Sequence, residues 1–272
     1  MDIEEFRRRG KETVDAICDY YATLEDRAVL STVEPGYLAK LVPAEAPEEP
    51  ESFDAIVADI HSKIMPGITH WQSPHFFNFY PSLGSFPGML GDMYSSMFGV
   101  IGFNWACSPA CTELETIALD WLAKLIGLDA AFLAVDPATG AAQQGGGVIQ
   151  GTASEAIVVI MLAARQRVFD FHRKRLAAGG KTDDAIEAEL GAVGAKLVAY
   201  GSQQTHSCGE KGALILNAKW RAVATDDQGR LRGDALAAAI AADVAAGLVP
   251  FCVVATVGTT ATAAVDDLNG IA

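Results

Sequence analysis

The sequence has 272 residues, of which 50% are hydrophobic and 20% are charged. That apolar fraction is enough for a buried core and excludes an intrinsically disordered chain. The 34 acidic residues outnumber the 20 basic ones, and the resulting net charge of −14 repels phosphate backbones and argues against a nucleic-acid partner. The length corresponds to one large domain or two smaller ones.

Neither a membrane segment nor a secretory leader is predicted. The apolar run Ala156–Ala164 is shorter than the roughly 20 residues that a bilayer-spanning helix needs. The start of the chain is charged from its second residue and lacks the apolar core of a signal peptide. The five cysteines form no C-x-x-C pair and have too few other ligands nearby for zinc. We therefore expect a cytoplasmic location, reduced thiols, no metal and no membrane partner.

Helices and strands alternate in the second half of the chain. Apolar spacing and capping residues predict helices at Ile3–Leu24, Phe53–Met65, Pro109–Leu125, Ser154–Leu176, Asp183–Leu190 and Ala235–Ala246. Buried strands are predicted at Lys196–Tyr200, Ala213–Leu216 and Phe251–Val257, the last of them as a central strand. An acidic stretch with three prolines, Pro43–Pro50, predicts an extended connector. The alternation indicates an α/β fold around a mostly parallel sheet.

A glycine-rich segment precedes the longest predicted helix. Gly145–Gly147 and Gly151 are followed by Thr152 and Ser154. Glycines let the backbone approach a ligand closely, and the free N–H groups at a helix start favour an anion such as phosphate. No lysine follows the glycines and the spacing is not that of a dinucleotide fingerprint, so neither nucleotide motif is predicted. The same pattern also fits a plain glycine turn with a hydroxyl cap.

Two polar segments follow predicted strands, at the sheet edge where α/β proteins bind ligands. His206 lies just beyond the strand that ends near Tyr200, and a histidine there is suited to stack on a ring or to transfer a proton. Thr256–Thr260 follows the last strand and offers hydroxyls to the same crevice. Both segments also fit ordinary loops without a role.

An aromatic-rich segment separates the two halves of the chain. Between Thr69 and Phe103 the sequence has nine Phe, Trp or Tyr residues, interrupted by prolines and glycines. Such a density predicts either a pocket for a flat substrate or a core or dimer interface.

These pieces together resemble the pyridoxal-phosphate-dependent group II decarboxylases, most nearly the members that act on aromatic L-amino acids. The matching motifs, besides the His206 segment, are EFRRRGKE at Glu5–Glu12, VEPGYL at Val33–Leu38, IMPGITHWQSP at Ile64–Pro74, IGFNWACSPACTELE at Ile101–Glu115, GGGVIQGTASEA at Gly145–Ala156 and ATVGTT at Ala255–Thr260. The resemblance covers the chain nearly from end to end and is weakest at Pro137–Gln144 and Phe171–Ala195.

The resemblance implies the aspartate-aminotransferase-like fold, called fold type I, with pyridoxal 5′-phosphate as cofactor and a homodimer as the assembly. Residues 1–85 are then expected to be an N-terminal helical segment that packs on the partner subunit. Residues 86–272 are expected to be the cofactor-binding large domain, incomplete at its C-terminal side.

The resemblance also assigns residues to the site, position by position. The cofactor-binding positions, with Thr152 included from the anion site above, are Thr152, Ala153, Ser154, His206 and Thr260. His206 is also the catalytic position, since it matches the histidine that stacks on the pyridine ring near the substrate carboxylate. The substrate-binding positions are Trp71, Phe79, Tyr80, Pro81 and Ser82, with Ile101 and Phe103 contributed across the dimer interface. Close relatives have Tyr then Phe where this chain has Phe79-Tyr80, which leaves the preferred ring hydroxylation open.

The family's Schiff-base lysine and the aspartate that pairs with the pyridine nitrogen lie downstream of the segment matching Thr256–Thr260, so we expect this chain to lack both. Lys219-Trp220 mimics the family's His-Lys-Trp, but it follows Ala218 and lies upstream, and we reject it. The expected function is decarboxylation of an aromatic L-amino acid to an arylalkylamine in the full-length enzyme, with this chain inactive alone. The alternatives are an aromatic acetaldehyde synthase, a histidine decarboxylase, or a non-catalytic fragment that binds a full-length subunit.

Overall fold

A computed structural model describes residues 1–80 and 84–272. Pro81 and Ser82, two predicted substrate contacts, lie outside the described residues. The chain divides into two compact units, Met1–Phe98 and Gly99–Ala272. The predicted division into residues 1–85 and 86–272 by role stays a prediction.

The first unit is helical. Its helices are α1 (Ile3–Ala22), α2 (Phe53–Asp59), which continues as a π turn to Ile64 and a 3-10 turn to Gly67, and α3 (Phe86–Phe98). Helix α1 is tied to α2 by Arg9, which donates two hydrogen bonds of 2.6 Å to Asp54 and lies over the ring of Phe53. The first two predicted helices are confirmed. Helix α3 was not predicted, because the prolines and glycines of its region resemble a loop; Pro87 is tolerated in its first turn, where no helical N–H bond is lost.

The second unit is an α/β layer. Its helices are α4 (Pro109–Leu125), α5 (Ala153–Ala178), α6 (Asp183–Gly194), α7 (Cys208–Ile215), α8 (Gly233–Ala245) and α9 (Leu268–Ile271). Its strands are β1 (Leu197–Ser202), β2 (Lys219–Val223) and β3 (Val249–Val254). They form a parallel sheet in the order β2-β1-β3, which confirms the predicted parallel sheet.

One strand prediction is wrong, and a second is right about the strand but wrong about its place in the sheet. Ala213–Leu216 belongs to the end of α7 and its cap, where Ala213 and Leu216 are buried three residues apart on one helical face. A short apolar run fits a buried strand and a buried helix equally well, and the actual strand is the more exposed β2. Phe251–Val257 was expected to be central, but among the described strands β1 is central and β3 lies at the edge.

The core of the second unit lies on both faces of β1, all six residues of which are buried. On one face Val198 and Tyr200 pack against Leu231 and Leu236; on the other, Ala199 packs with Met161 of α5. This alternation follows from the two-residue period of a strand. Helix α8 therefore covers one face of the sheet, and α5 and α7 cover the other.

A buried polar cluster fixes α8 to the sheet. The Tyr200 hydroxyl donates to Asp243 at 3.1 Å, and Arg221 Nε donates to the same carboxylate at 3.0 Å. The Arg221 guanidinium holds the pKa of Asp243 below its usual value, while burial and the Asp243 carboxylate raise the pKa of Tyr200 far above its own.

Across the described ranges, no helix combines the length and apolar character needed to cross a membrane.

Candidate functional site

The first turn of α5 is exposed and is the predicted anion site. Thr152 is the N-cap, and its Oγ1 accepts a hydrogen bond from the amide of Glu155 at 3.1 Å. The amides of Ala153 and Ser154 donate to no other described residue, as expected for the first turn of a helix. Two free amides, a positive helix end and the adjacent hydroxyl of Ser154 are the groups that bind phosphate in proteins. The structure thus fits the predicted phosphate-binding position.

The preceding glycines have a structural cause of their own. A Cβ on Gly145 would collide with the backbone carbonyls of Ala131 and Leu133, and Gly146 has φ of +128°, which side chains rarely adopt. A Cβ on Gly147 would lie 3.0 Å from Leu119 of α4. The glycine turn is therefore needed for packing, and the anion site depends on residues 152–154.

His206 lies in the loop between β1 and α7, with its ring exposed. Its Nδ1 accepts a hydrogen bond from the amide of Cys208 at 3.2 Å, which fixes the ring and leaves the proton of the neutral imidazole on Nε2. The loop is further held by Thr205, whose hydroxyl accepts from the amide of Ser202 at 2.8 Å. His206 therefore presents an exposed ring face and a free N–H donor.

Thr260 is exposed on a loop that buried side chains hold in place. Asp266 is 3% exposed and accepts from the amides of Thr256 and Leu231, both at 2.7 Å. Thr259 is buried, and its hydroxyl accepts from the amide of Ala264 at 3.0 Å. No sequence pattern singles out Asp266 or Thr259, because their roles depend on a contact between the loop and the segment before α8.

The predicted cofactor-binding positions His206 and Thr260 lie at one end of the second unit. Gly201 of β1 pairs with Val254 of β3, so the loops carrying His206 and Thr260 both leave the sheet at the carboxyl ends of its strands. Ile157, one turn into α5, lies close to Gly212 of α7. A Cβ on Gly212 would lie 3.3 Å from the side chain of Ile157. The second turn of α5 therefore lies against the middle of α7, and α7 begins directly after the His206 loop.

The aromatic positions of the first unit form a stack. The ring of Trp71 stacks on Phe76 and Phe79 with centroid distances of 4.8 and 5.8 Å. Phe79 and Tyr80 are exposed, and Phe79 has φ of +56°, a costly backbone conformation for a bulky residue. Such strain is concentrated at binding sites. The predicted positions therefore present flat apolar surface.

Ile101 and Phe103 belong to the second unit, whereas Trp71, Phe79 and Tyr80 belong to the first. Both side chains are about three-quarters exposed (72% and 75%). The segment between them lies against α4, since a Cβ on Gly102 would be 2.6 Å from the sulfur of Cys111. Large apolar side chains left in water at this density mark an interaction surface.

Lys219 lies far from the cofactor-binding positions. It is the first residue of β2 and pairs with Val198, so it is at the amino end of the parallel sheet. His206 and Thr260 follow the carboxyl ends of their strands, roughly four residues or 13 Å further along. This position supports the rejection of Lys219 as a cofactor-binding lysine.

No group of three or more His, Cys, Asp or Glu residues in the described ranges is placed to hold a metal ion.

Known proteins similar to this chain include decarboxylases and an aldehyde synthase. A family model described as "Pyridoxal-dependent decarboxylase conserved domain" matches residues 35–272. Aromatic-L-amino-acid decarboxylase from Bos taurus is 50% identical over 268 residues, which are 98% of this chain and 52% of that protein. The 3,4-dihydroxyphenylacetaldehyde synthase of Drosophila melanogaster is 46% identical over 271 residues, or 100% of this chain and 50% of that protein. The chain thus spans about half the length of these relatives.

The structural comparison gives the same grouping. The crystal structure of Catharanthus roseus tryptophan decarboxylase in complex with L-tryptophan superposes with a TM-score of 0.85 at 39% sequence identity. The match covers 100% of this chain and 54% of that one.

Proposed function

Because the chain belongs to the pyridoxal-dependent decarboxylase family, we propose that its full-length protein converts an aromatic L-amino acid to an arylalkylamine and carbon dioxide. The α/β unit has the predicted fold type I of these enzymes, and pyridoxal 5′-phosphate is the cofactor that the family implies. The relatives named for aromatic amino acids and for tryptophan support the substrate class.

The observation that carries the proposal is the free first turn of α5. The amides of Ala153 and Ser154, with the hydroxyls of Thr152 and Ser154, would hold the cofactor phosphate. When bound, the cofactor supplies an electron sink for the carbon that loses its carboxylate. His206 would lie over the ring and offer its Nε2–H to the substrate carboxylate, while Thr260 contacts the cofactor from the neighbouring loop.

Aromatic side chains would select the substrate by shape and exclude water from it. In the proposal Trp71, Phe79 and Tyr80 form one wall of the pocket, and Pro81 and Ser82 continue it. Ile101 and Phe103 are contributed by a second subunit, which would cover their exposed apolar surface. The active form is then a homodimer, with residues 1–85 packing on the partner and residues 86–272 forming the cofactor domain, in the cytoplasm.

We propose further that the 272-residue chain is inactive alone. The proposal is supported by the position of Lys219, which lies at the amino end of the sheet, whereas His206 and Thr260 follow the carboxyl ends of their strands. The test is incubation of the full-length protein and of the 272-residue chain with L-DOPA, L-tryptophan, L-tyrosine and L-histidine, with pyridoxal 5′-phosphate present. Amine from the full-length protein only is expected; amine from the 272-residue chain above a no-protein control contradicts the inactivity.

The anion site has a matched control within the chain. Thr152 and Thr182 are the N-caps of α5 and α6, and each accepts from the amide three residues on. Thr152→Ala is expected to weaken cofactor binding to the full-length protein severalfold, because it loosens the first turn. Thr182→Ala makes the same chemical change at a helix remote from the proposed phosphate, and cofactor affinity should not change. Equal losses in both variants contradict the phosphate assignment.

An aromatic acetaldehyde synthase is the second candidate, favoured by the identity to the Drosophila melanogaster synthase. Such an enzyme consumes oxygen and releases aldehyde, ammonia and peroxide in place of the amine. Measuring peroxide and aldehyde beside amine in the same assay separates the two reactions. A non-catalytic role is tested by co-purification of the 272-residue chain with a full-length subunit; a monodisperse monomer counts against it.

A further inference from the structure

A basic stripe runs along the second half of α5. Its members are Arg167, Phe171, Lys174 and Arg175. Their spacings of four, three and one residues place them on one face of the helix. All four side chains are exposed, and Phe171 keeps 64% of its surface in water. The stripe therefore combines three cations with an apolar ring.

Among the described residues, the ring contact found for these four side chains is that of Phe171 with its helix neighbour His172, at 5.6 Å between ring centroids. Helix α6 lies against the other side of α5, where Gly194 approaches the ring of Phe169 and Arg173 pairs with Glu187. Within the ranges that the structure describes, Arg167, Lys174 and Arg175 form no ion pair or side-chain hydrogen bond. These cations stay unpaired although Asp170 lies three residues from Arg167 and four from Lys174, because its carboxylate accepts a hydrogen bond from Gln166 instead.

Helix stability does not account for the stripe. Cations stabilise the C-terminal end of a helix through its dipole, but that effect is confined to the last turn. Arg175 is in the last turn of α5, whereas Arg167 lies three turns before the end at Ala178. The dipole also gives no reason for an exposed phenylalanine between the cations.

The same chain carries a segment of complementary charge. Glu45, Glu48, Glu49 and Glu51 lie in an exposed stretch without helix or strand, and none of these carboxylates forms an ion pair with another described residue. The interspersed prolines favour an extended backbone that needs little ordering on binding. Extended, residues 45–51 span about 20 Å, and Arg167–Arg175 spans about 12 Å of helix. The glutamates can therefore reach all three cations.

We propose that the basic stripe docks the acidic segment 45–51 of a second copy of this chain. An anionic membrane is the less suitable occupant, because a flat bilayer surface would also face the carboxylates of Asp183 and Asp184 on the adjacent helix α6, whereas a narrow extended segment can contact the stripe alone. Contacts of this kind are weak and steered by charge, so the association should be sensitive to salt.

The first test uses a fluorescently labelled peptide of residues 42–52. Fluorescence anisotropy should show binding to the 272-residue chain that weakens at least fivefold between about 30 and about 300 mM salt. A peptide with the four glutamates changed to glutamine should not bind. Binding should also be lost in the triple variant Arg167→Glu, Lys174→Glu, Arg175→Glu, with helix content checked by circular dichroism. The matched control, Arg7→Glu, Arg8→Glu, Lys11→Glu, makes the same charge change on α1 and should bind normally.

The second test exchanges charge between copies. The second variant is the segment variant Glu45→Lys, Glu48→Lys, Glu49→Lys, Glu51→Lys. It and the stripe variant should each lose the salt-sensitive part of self-association in sedimentation velocity. Mixing the two should restore it, because each chain then offers the charge that the other lacks. Failure of the mixture to restore association overturns the proposal, since it places the contact within one chain or nowhere. Binding of the stripe to phosphatidylserine vesicles but not to the peptide also overturns it. None of these readouts depends on decarboxylase activity.

Discussion

Strand β1 and helix α3 are both rich in apolar residues, yet they differ completely in burial. Every residue of β1 is buried, whereas Phe86, Met97 and Phe98 of α3 keep more than half of their surface in water. The strand has helices on both faces, and α3 has no described partner for most of its apolar surface. Apolar residues in a sequence therefore do not show by themselves which surface buries them. A single chain can leave apolar side chains exposed that a partner molecule covers. This is why we assign the exposed region to subunit contact and substrate binding.

The largest effect on the free energy of unfolding should come from opening a cavity beside the buried strand β1. Met161 of α5 is completely buried between β1 and α7. Met161→Ala is expected to lower the free energy of unfolding by about 2–5 kcal/mol, because it removes buried surface and leaves a void. Urea unfolding followed by circular dichroism measures the change.

Met97→Ala in α3 is the matched control, since the same side chain there is 63% exposed. In monomeric protein its unfolding free energy should change by no more than about 0.5 kcal/mol. A loss comparable with that of Met161→Ala would show that α3 is covered, and would end the contrast between the two regions.

A second, intermediate effect tests the polar cluster beside the core. Asp243→Ala leaves the buried hydroxyl of Tyr200 without its acceptor and frees Arg221, which is expected to cost about 1–3 kcal/mol of unfolding free energy. Asp243→Asn keeps an acceptor oxygen and should lose less. Both losses are measured by urea unfolding at pH 7.

The same cluster predicts a pH dependence. Because Arg221 lowers the pKa of Asp243 in the folded protein, the ionised carboxylate contributes stability that is present above its unfolded pKa of about 3.9. That contribution is lost as the pH falls through the folded pKa. The difference between the parent and Asp243→Asn should therefore shrink below about pH 4; a constant difference would contradict the ion pair.

The sequence predicted the elements whose signals are local. Ser52 caps α2, Pro109 opens α4 and Thr152 caps α5, so these helices begin within one residue of their predicted starts. The strand predicted at Ala213–Leu216 was wrong, because only the packing of Ala213 with Met161 decides between helix and strand. Tertiary contacts of this kind leave no periodic pattern in the sequence.

The candidate site divides in the same way. The anion site at Thr152 and the histidine after β1 were predicted from helix-cap chemistry and from the position of ligand sites in α/β folds, and both stay predictions. The supports of the Thr260 loop were missed, since Asp266 acts through backbone amides distant in sequence. The rings around Trp71 were assigned by family resemblance, because exposed aromatic residues have no periodic pattern to reveal them.

The smallest effect should come from a buried polar pair in the more exposed unit. His70 is 6% exposed, directly precedes Trp71, and shares a 2.8 Å hydrogen bond between its Nδ1 and the hydroxyl of Tyr20. Tyr20→Phe removes that bond and is expected to lower the unfolding free energy by about 0.5–1.5 kcal/mol at pH 8.

Burial, with the nearby charge of Arg27, lowers the pKa of His70 in the folded protein. Neutral His70 therefore contributes stability that is complete above its unfolded pKa of about 6.5 and is lost as the pH falls through the folded pKa. His70→Gln should remove this step from the pH profile of stability, measured by urea unfolding from pH 8 to pH 5. His61→Gln, at an exposed histidine of the same unit, should retain it. If His70→Gln keeps the step, the ring beside Trp71 is solvated, and the aromatic stack has no buried polar support.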